Sequence, residues 1–157
     1  MKHMITPAFR HGWVALVLPL LVLNSLYVRA AGASELKFEA QLIWATNDKK
    51  SPDPKHKPAE PEVKKKLGEL PLKWENYFEV QRKQFTVPKG GTTKVSMSEK
   101  CAIEVKHVDG DKVEVSLIGK GEKILKRTQA LPKAEMLVLG GNAPNETAWL
   151  VTLKRIE

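Results

Sequence analysis

The chain has 157 residues, of which 42% are hydrophobic, 26 are basic, 18 are acidic and one is a cysteine. That length and balance argue for one globular domain, and the lone Cys101 excludes a framework of intrachain disulfides. The basic excess favours acidic partners over basic ones.

The chain opens on a predicted leader. Lys2 and Arg10 form a positive start, an apolar run extends from Trp13 to Leu23 and more weakly to Val28, and small residues follow. Val28-Arg29-Ala30 and Ala31-Gly32-Ala33 both fit a small-x-small cleavage site, so residues 1–33 read as a signal peptide cut after Ala30 or Ala33. The stretch Gly12–Val28 is 17 residues, at the lower limit for a membrane span, and is interrupted by Pro19 and Asn24. No cysteine follows it for lipid attachment. The expected location is periplasmic or secreted, with membrane contact only through an uncleaved leader. Three of the 26 basic residues lie in the leader, so residues 34–157 carry 23 − 18, or +5.

Leu36, Phe38, Ala40, Leu42 and Trp44 alternate with Lys37, Glu39, Gln41 and Ile43. Period two predicts a long strand with one face buried and the other mostly exposed. Residues 47–71 then hold five of the ten prolines and seven lysines, which predicts a long loop, either mobile or functional. A short helix is expected inside it, with Pro61 in the first turn, Val63 and Leu67 one turn apart, and Gly68 closing the end.

From Leu72 to Val87 the apolar parity changes between Phe78/Val80 and Phe85/Val87, which calls for a bulge, placed near Lys83. Pro88-Lys89-Gly90-Gly91 is a turn and Val95 and Met97 mark a short strand. Cys101, Ile103, Val105 and His107, then Asp109-Gly110, then Val113, Val115 and Leu117 form the clearest hairpin signal in the chain. A weaker strand runs from Ile124 to Leu131, a buried one from Met136 to Leu139, and Gly140 to Asn145 read as a turn. Trp149, Val151 and Leu153 end the pattern as inward residues of the last strand. The fold class is therefore all-β, a single domain over 34–157. We expect a small antiparallel β-sandwich (Ig-like) or a partly open barrel of about seven or eight strands, with one long Pro/Lys-rich loop containing a short helix.

Catalytic and metal signatures are sparse. Cys101 reads as a small buried hydrophobe, His107 as a satisfied or exposed side chain and His56 as solvated; on one extended strand Cys101 and His107 stand about 20 Å apart. Ser96, Ser98 and Ser116 lack a nucleophile elbow, and Glu104 and Glu114 lie on the polar faces of their strands. Gly119-Lys120-Gly121 and Lys89-Gly90-Gly91 do not match a phosphate loop. Asn145-Glu146-Thr147 matches a glycosylation sequon. No catalytic residue, metal ligand or cofactor is assigned, and no family resemblance is close enough to name.

Two features remain as binding candidates: the lysines Lys55, Lys57, Lys64, Lys65 and Lys66 of the loop, and the rings Trp44 and Trp74 that flank it. The expectation is a non-enzymatic, exported module of the bacterial cell envelope that binds a protein or an anionic polymer. The alternatives are a structural envelope component without a ligand and a carboxylate-based hydrolase. Nucleic acid is not expected as a partner, since aromatic and basic residues do not interleave.

Overall fold

A computed structural model describes residues 35–157; the predicted leader and its cleavage sites lie outside the described residues. The described residues form nine strands and one helix: β1 (Leu36–Thr46), β2 (Lys57–Pro58), α1 (Pro61–Gly68), β3 (Asn76–Val87), β4 (Thr92–Ser96), β5 (Cys101–Asp109), β6 (Lys112–Gly119), β7 (Glu122–Ala130), β8 (Met136–Asn142) and β9 (Ala148–Arg155). They build two antiparallel sheets, one in the order β2-β3-β1-β9-β8 and the other in the order β4-β5-β6-β7. The sheets do not close into a barrel, so the fold is the sandwich of the two expected architectures. The chain changes sheet only after β3 and after β7, so a four-strand meander is laid on a frame made by both ends of the domain. Immunoglobulin domains instead exchange strands repeatedly between sheets.

The main core lies between the sheets. Phe38, Ala40 and Leu42 of β1 and Val151 and Leu153 of β9 face Ile103, Val105, Val113 and Val115 of the meander. The apolar residues two apart in each of these strands supply one inward row apiece, which is why period two marked them.

A second cluster covers the opposite face of the five-stranded sheet. Ile43 and Ala45 of β1 and Leu150 of β9 pack under Val63 and Leu67 of α1, with Trp74 and Tyr77 beside them. The second half of β1 is therefore buried on both faces, where the sequence predicted an exposed one. The helix starts at Pro61 as expected, but Gly68 remains helical and Glu69 caps the end in the right-handed region. This segment is an added layer of the fold, held by its buried Val63 and Leu67, rather than a free loop.

Other boundaries differ in detail. The bulge between β1 and β3 falls at Val80, between the pairs Leu42↔Gln81 and Ile43↔Glu79, three residues before the expected Lys83. It brings Val80 onto the core that Phe85 also joins. Strand β8 continues through Gly140 and Gly141 to Asn142 rather than turning at Gly140. A Cβ at Gly140 would lie 2.5 Å from Leu150 Cδ2 and 2.7 Å from the Trp149 carbonyl, so the missing side chain lets β8 pair closely with β9. The β5–β6 hairpin forms, with the positive φ of 51° at Gly110 and a closing pair Asp109↔Lys112.

Candidate binding site at the tryptophan end of the five-stranded sheet

The end of β1 and the tip of the β8–β9 hairpin meet beside the chain that leaves β1. Trp44 and Trp149 are cross-strand partners there, with ring centroids 4.5 Å apart and planes tilted by 58°. Both stand on the core-facing side of their strands, but beyond the reach of the meander. Trp44 is only half-buried and Trp149 is 41% exposed, where the sequence expected an inward residue.

Trp44 forms one wall of a cleft of about 520 Å³ lined also by Asp48, Lys49, Lys50, Pro52 and Pro144. A second cleft of about 530 Å³ opens beneath α1, with Trp74, Tyr77, Phe78 and Leu67 as its apolar lining and Lys49, Lys64 and Glu75 as its charges. Lys49 lines both clefts, so they adjoin at that residue. The hairpin tip is tied across them: the Trp74 indole N–H donates to the Glu146 carbonyl at 2.6 Å, and Lys73 Nζ lies 5.6 Å from the centre of the Trp74 ring. Tyr77 is buried, donates its hydroxyl to the Trp74 carbonyl at 2.8 Å, and burial pushes its pKa up.

The predicted site residues separate into two groups. Trp44, Trp74 and Lys64 line the clefts, whereas Lys55, Lys57, Lys65 and Lys66 line neither. Lys66 instead approaches Glu69 at 3.7 Å within the helix end. Lys49 and Lys50, counted in the sequence only as loop charge, are the cations beside Trp44.

The helix that roofs one cleft is clamped by charge. Arg82 reaches Glu79 at 2.5 Å, Glu60 at 2.7 Å and Glu39 at 3.6 Å, and hydrogen bonding to Glu79 is the main cause that raises its pKa against burial. Burial alone would raise the Glu39 carboxyl; hydrogen bonds from Gln84 and Gln41 and the charge of Arg82 outweigh it and hold Glu39 below the usual carboxylate range. Lys154 of β9 reaches Glu62 of α1 at 2.6 Å.

His56 is not solvated as expected. Its Nδ1 is hydrogen-bonded to Ser51 Oγ at 2.6 Å, and its Nε2 lies 3.9 Å from Asp53 Oδ2. Serine, histidine and aspartate are the residue types of acyl transfer, but this carboxylate stands beyond hydrogen-bond reach of the ring. Asp53 Oδ1 instead accepts the Lys55 N–H at 2.8 Å and the Asp53 carbonyl accepts the His56 N–H at 3.1 Å, so the group closes a turn between Pro52 and His56.

His107 is buried; its Nε2 donates to the Gly110 carbonyl at 2.9 Å, and its Nδ1 meets no partner among the described residues. Cys101 is half-buried against the core, and burial pushes its thiol pKa up. Glu104 and Glu114 are engaged by Lys123 at 2.6 Å and Lys126 at 2.9 Å on the outer face of the meander. Hydrogen bonding from Lys126 holds the Glu114 carboxyl below its ordinary value. Among the described residues, no helix is long and apolar enough to cross a membrane.

Compared with known proteins, the chain matches no family model, and no curated protein or solved structure matches it significantly.

Proposed function

We propose that this protein is an exported, non-enzymatic binding module of the cell envelope, and that its tryptophan end takes a linear acidic polysaccharide. The observation that carries this reading is the partly exposed Trp44 ring on the wall of a cleft that holds Lys49 and Lys50 against one acid, Asp48. A sugar ring presents an apolar face that stacks on an indole, while its carboxylates pair with the lysines. The second cleft, adjoining at Lys49 and bearing Lys64, extends the track beyond one sugar unit, which suits a polymer better than a single small ligand. The net +5 of residues 34–157 adds a weaker, salt-sensitive attraction.

The test is titration with polygalacturonate, read by intrinsic tryptophan fluorescence and by calorimetry, with dextran as the neutral polymer and polyaspartate as a polyanion without sugar rings. Polygalacturonate is expected to bind and to lose at least tenfold in affinity in Trp44→Ala and several-fold in Lys49→Ala/Lys50→Ala. Equal binding of dextran, equal binding of polyaspartate, or indifference to Trp44→Ala would overturn the reading.

A further inference from the structure

Strand β7 is an edge of the four-stranded sheet, and eight of its nine residues are exposed. Leu125 and Arg127 pair with the buried Leu117 and Val115 of β6, so they stand on the face that packs against the other sheet. Yet Arg127 is exposed and Leu125 is 39% exposed, because the opposing sheet stops short of β7. Ile124, the bulge residue between Lys123↔Ile118 and Leu125↔Leu117, is 61% exposed.

The free edge is also defined in its backbone. The Leu131 N–H donates to the Asp111 carbonyl at 2.8 Å, across the β6–β7 pair. Alternation along an antiparallel ladder then turns the N–H and C=O of Lys126, Thr128 and Ala130 away from β6, toward the side where no strand pairs with β7 among the described residues. These six groups form a template for one more strand.

We infer that β7 accepts an extended acidic segment of a partner protein as a fifth strand of the meander. Charge selects the occupant. From Glu122 to Ala130 the strand carries Lys123, Lys126 and Arg127 against one acid, Glu122; Lys123 and Lys126 are engaged by Glu104 of β5 and Glu114 of β6, so Arg127 is the cation left for a partner. Among the described residues, Arg127 has no carboxylate within 4.0 Å. A carboxylate on the added strand would meet Arg127, and an apolar side chain would cover Leu125 or Ile124. For a second copy of the chain, antiparallel pairing of two β7 strands about Leu125 sets Lys123 opposite Arg127 and pairing about Lys126 sets that lysine opposite itself, whereas pairing about Thr128 opposes no like charges within the strand and is the register that a dimer would use. This surface is distinct from the clefts, none of whose lining residues belongs to β7.

Selection of random twelve-residue peptides against the purified protein tests the inference, with the enriched peptides remade and measured by fluorescence anisotropy. Acidic sequences with alternating apolar residues are expected. Their affinity should fall at least tenfold in Thr128→Pro, which deletes an outward N–H that no fold contact uses, and in Arg127→Glu. It should be unchanged in Trp44→Ala, whatever becomes of polysaccharide binding. Amide exchange should slow at Lys126, Thr128 and Ala130 on binding, while the thermal midpoint of Thr128→Pro stays within a few degrees of the parent. Enrichment of no peptide, of peptides without acids, or of peptides indifferent to Thr128→Pro would sink the inference. So would a dimer in solution that Thr128→Pro dissociates, because a second copy would then be the occupant.

Discussion

The Trp74 indole donates its N–H to the Glu146 carbonyl across 72 positions of sequence, joining the chain after α1 to the tip of the β8–β9 hairpin. Asn145 and Glu146 hold positive φ angles of 60° and 56° at that tip, a conformation that costs a residue with a Cβ about 1–2 kcal/mol. The hydrogen bond fixes the turn that stands between the two clefts. Trp74→Phe keeps most of the buried ring but removes the donor. It is expected to cost about 1 kcal/mol in urea unfolding and to speed amide exchange at the hairpin tip more than in the meander. Equal exchange across both would deny the tie.

Glu146→Gly relieves one of the two strained positions while leaving the carbonyl in place. A gain of about 0.5–1 kcal/mol is expected, seen as a rise of a few degrees in the thermal midpoint. A fall would mean that the Glu146 side chain contributes more than its backbone strain costs.

The acid-side stability of the domain should depend on Glu39. Its folded carboxyl lies below the ordinary value, so the unfolded chain binds the proton more readily. The stabilisation is therefore complete above the unfolded carboxylate range and is lost as pH falls through the depressed folded value. Glu39→Gln is expected to be less stable than the parent at pH 7, with the difference shrinking below about pH 4. Urea midpoints measured across that range check the sign. Arg82→Ala leaves Glu39, Glu60 and Glu79 without their shared cation and should cost about 1–3 kcal/mol at neutral pH.

Leu67 of α1 is fully buried on the outer face of the five-stranded sheet. Leu67→Ala is expected to cost about 2–4 kcal/mol by leaving a cavity over Ile43 and Leu150. For the same reason, removing residues 49–66 takes Ala59 and Val63 out of that cluster and should leave a chain that unfolds at lower temperature, rather than an intact domain short of one loop.

Gly140→Ala places a methyl group against the Trp149 backbone and Leu150, and β8 cannot yield without losing its pairing with β9. A cost of about 1–3 kcal/mol is expected. Calorimetry of this variant beside Gly141→Ala, where nothing lies within 4 Å of the new Cβ, isolates the steric part.

The sequence by itself determined the all-β class, the β5–β6 hairpin, the helix at Pro61 and the inward rows of the main core, because two-residue periodicity and turn chemistry are local properties. Of the candidate site, Trp44, Trp74 and Lys64 were legible as rings and charges near one loop. Only the tertiary structure decided that α1 roofs the second half of β1, because two-sided burial depends on what lands on a strand and not on the strand's own pattern. It likewise decided that Lys49 and Lys50 stand beside Trp44 while Lys55, Lys57, Lys65 and Lys66 do not, and that Trp149 and Leu125 emerge beyond the cover of the facing sheet. A residue's parity sets which face it takes, but exposure on that face is set by where the opposite layer ends.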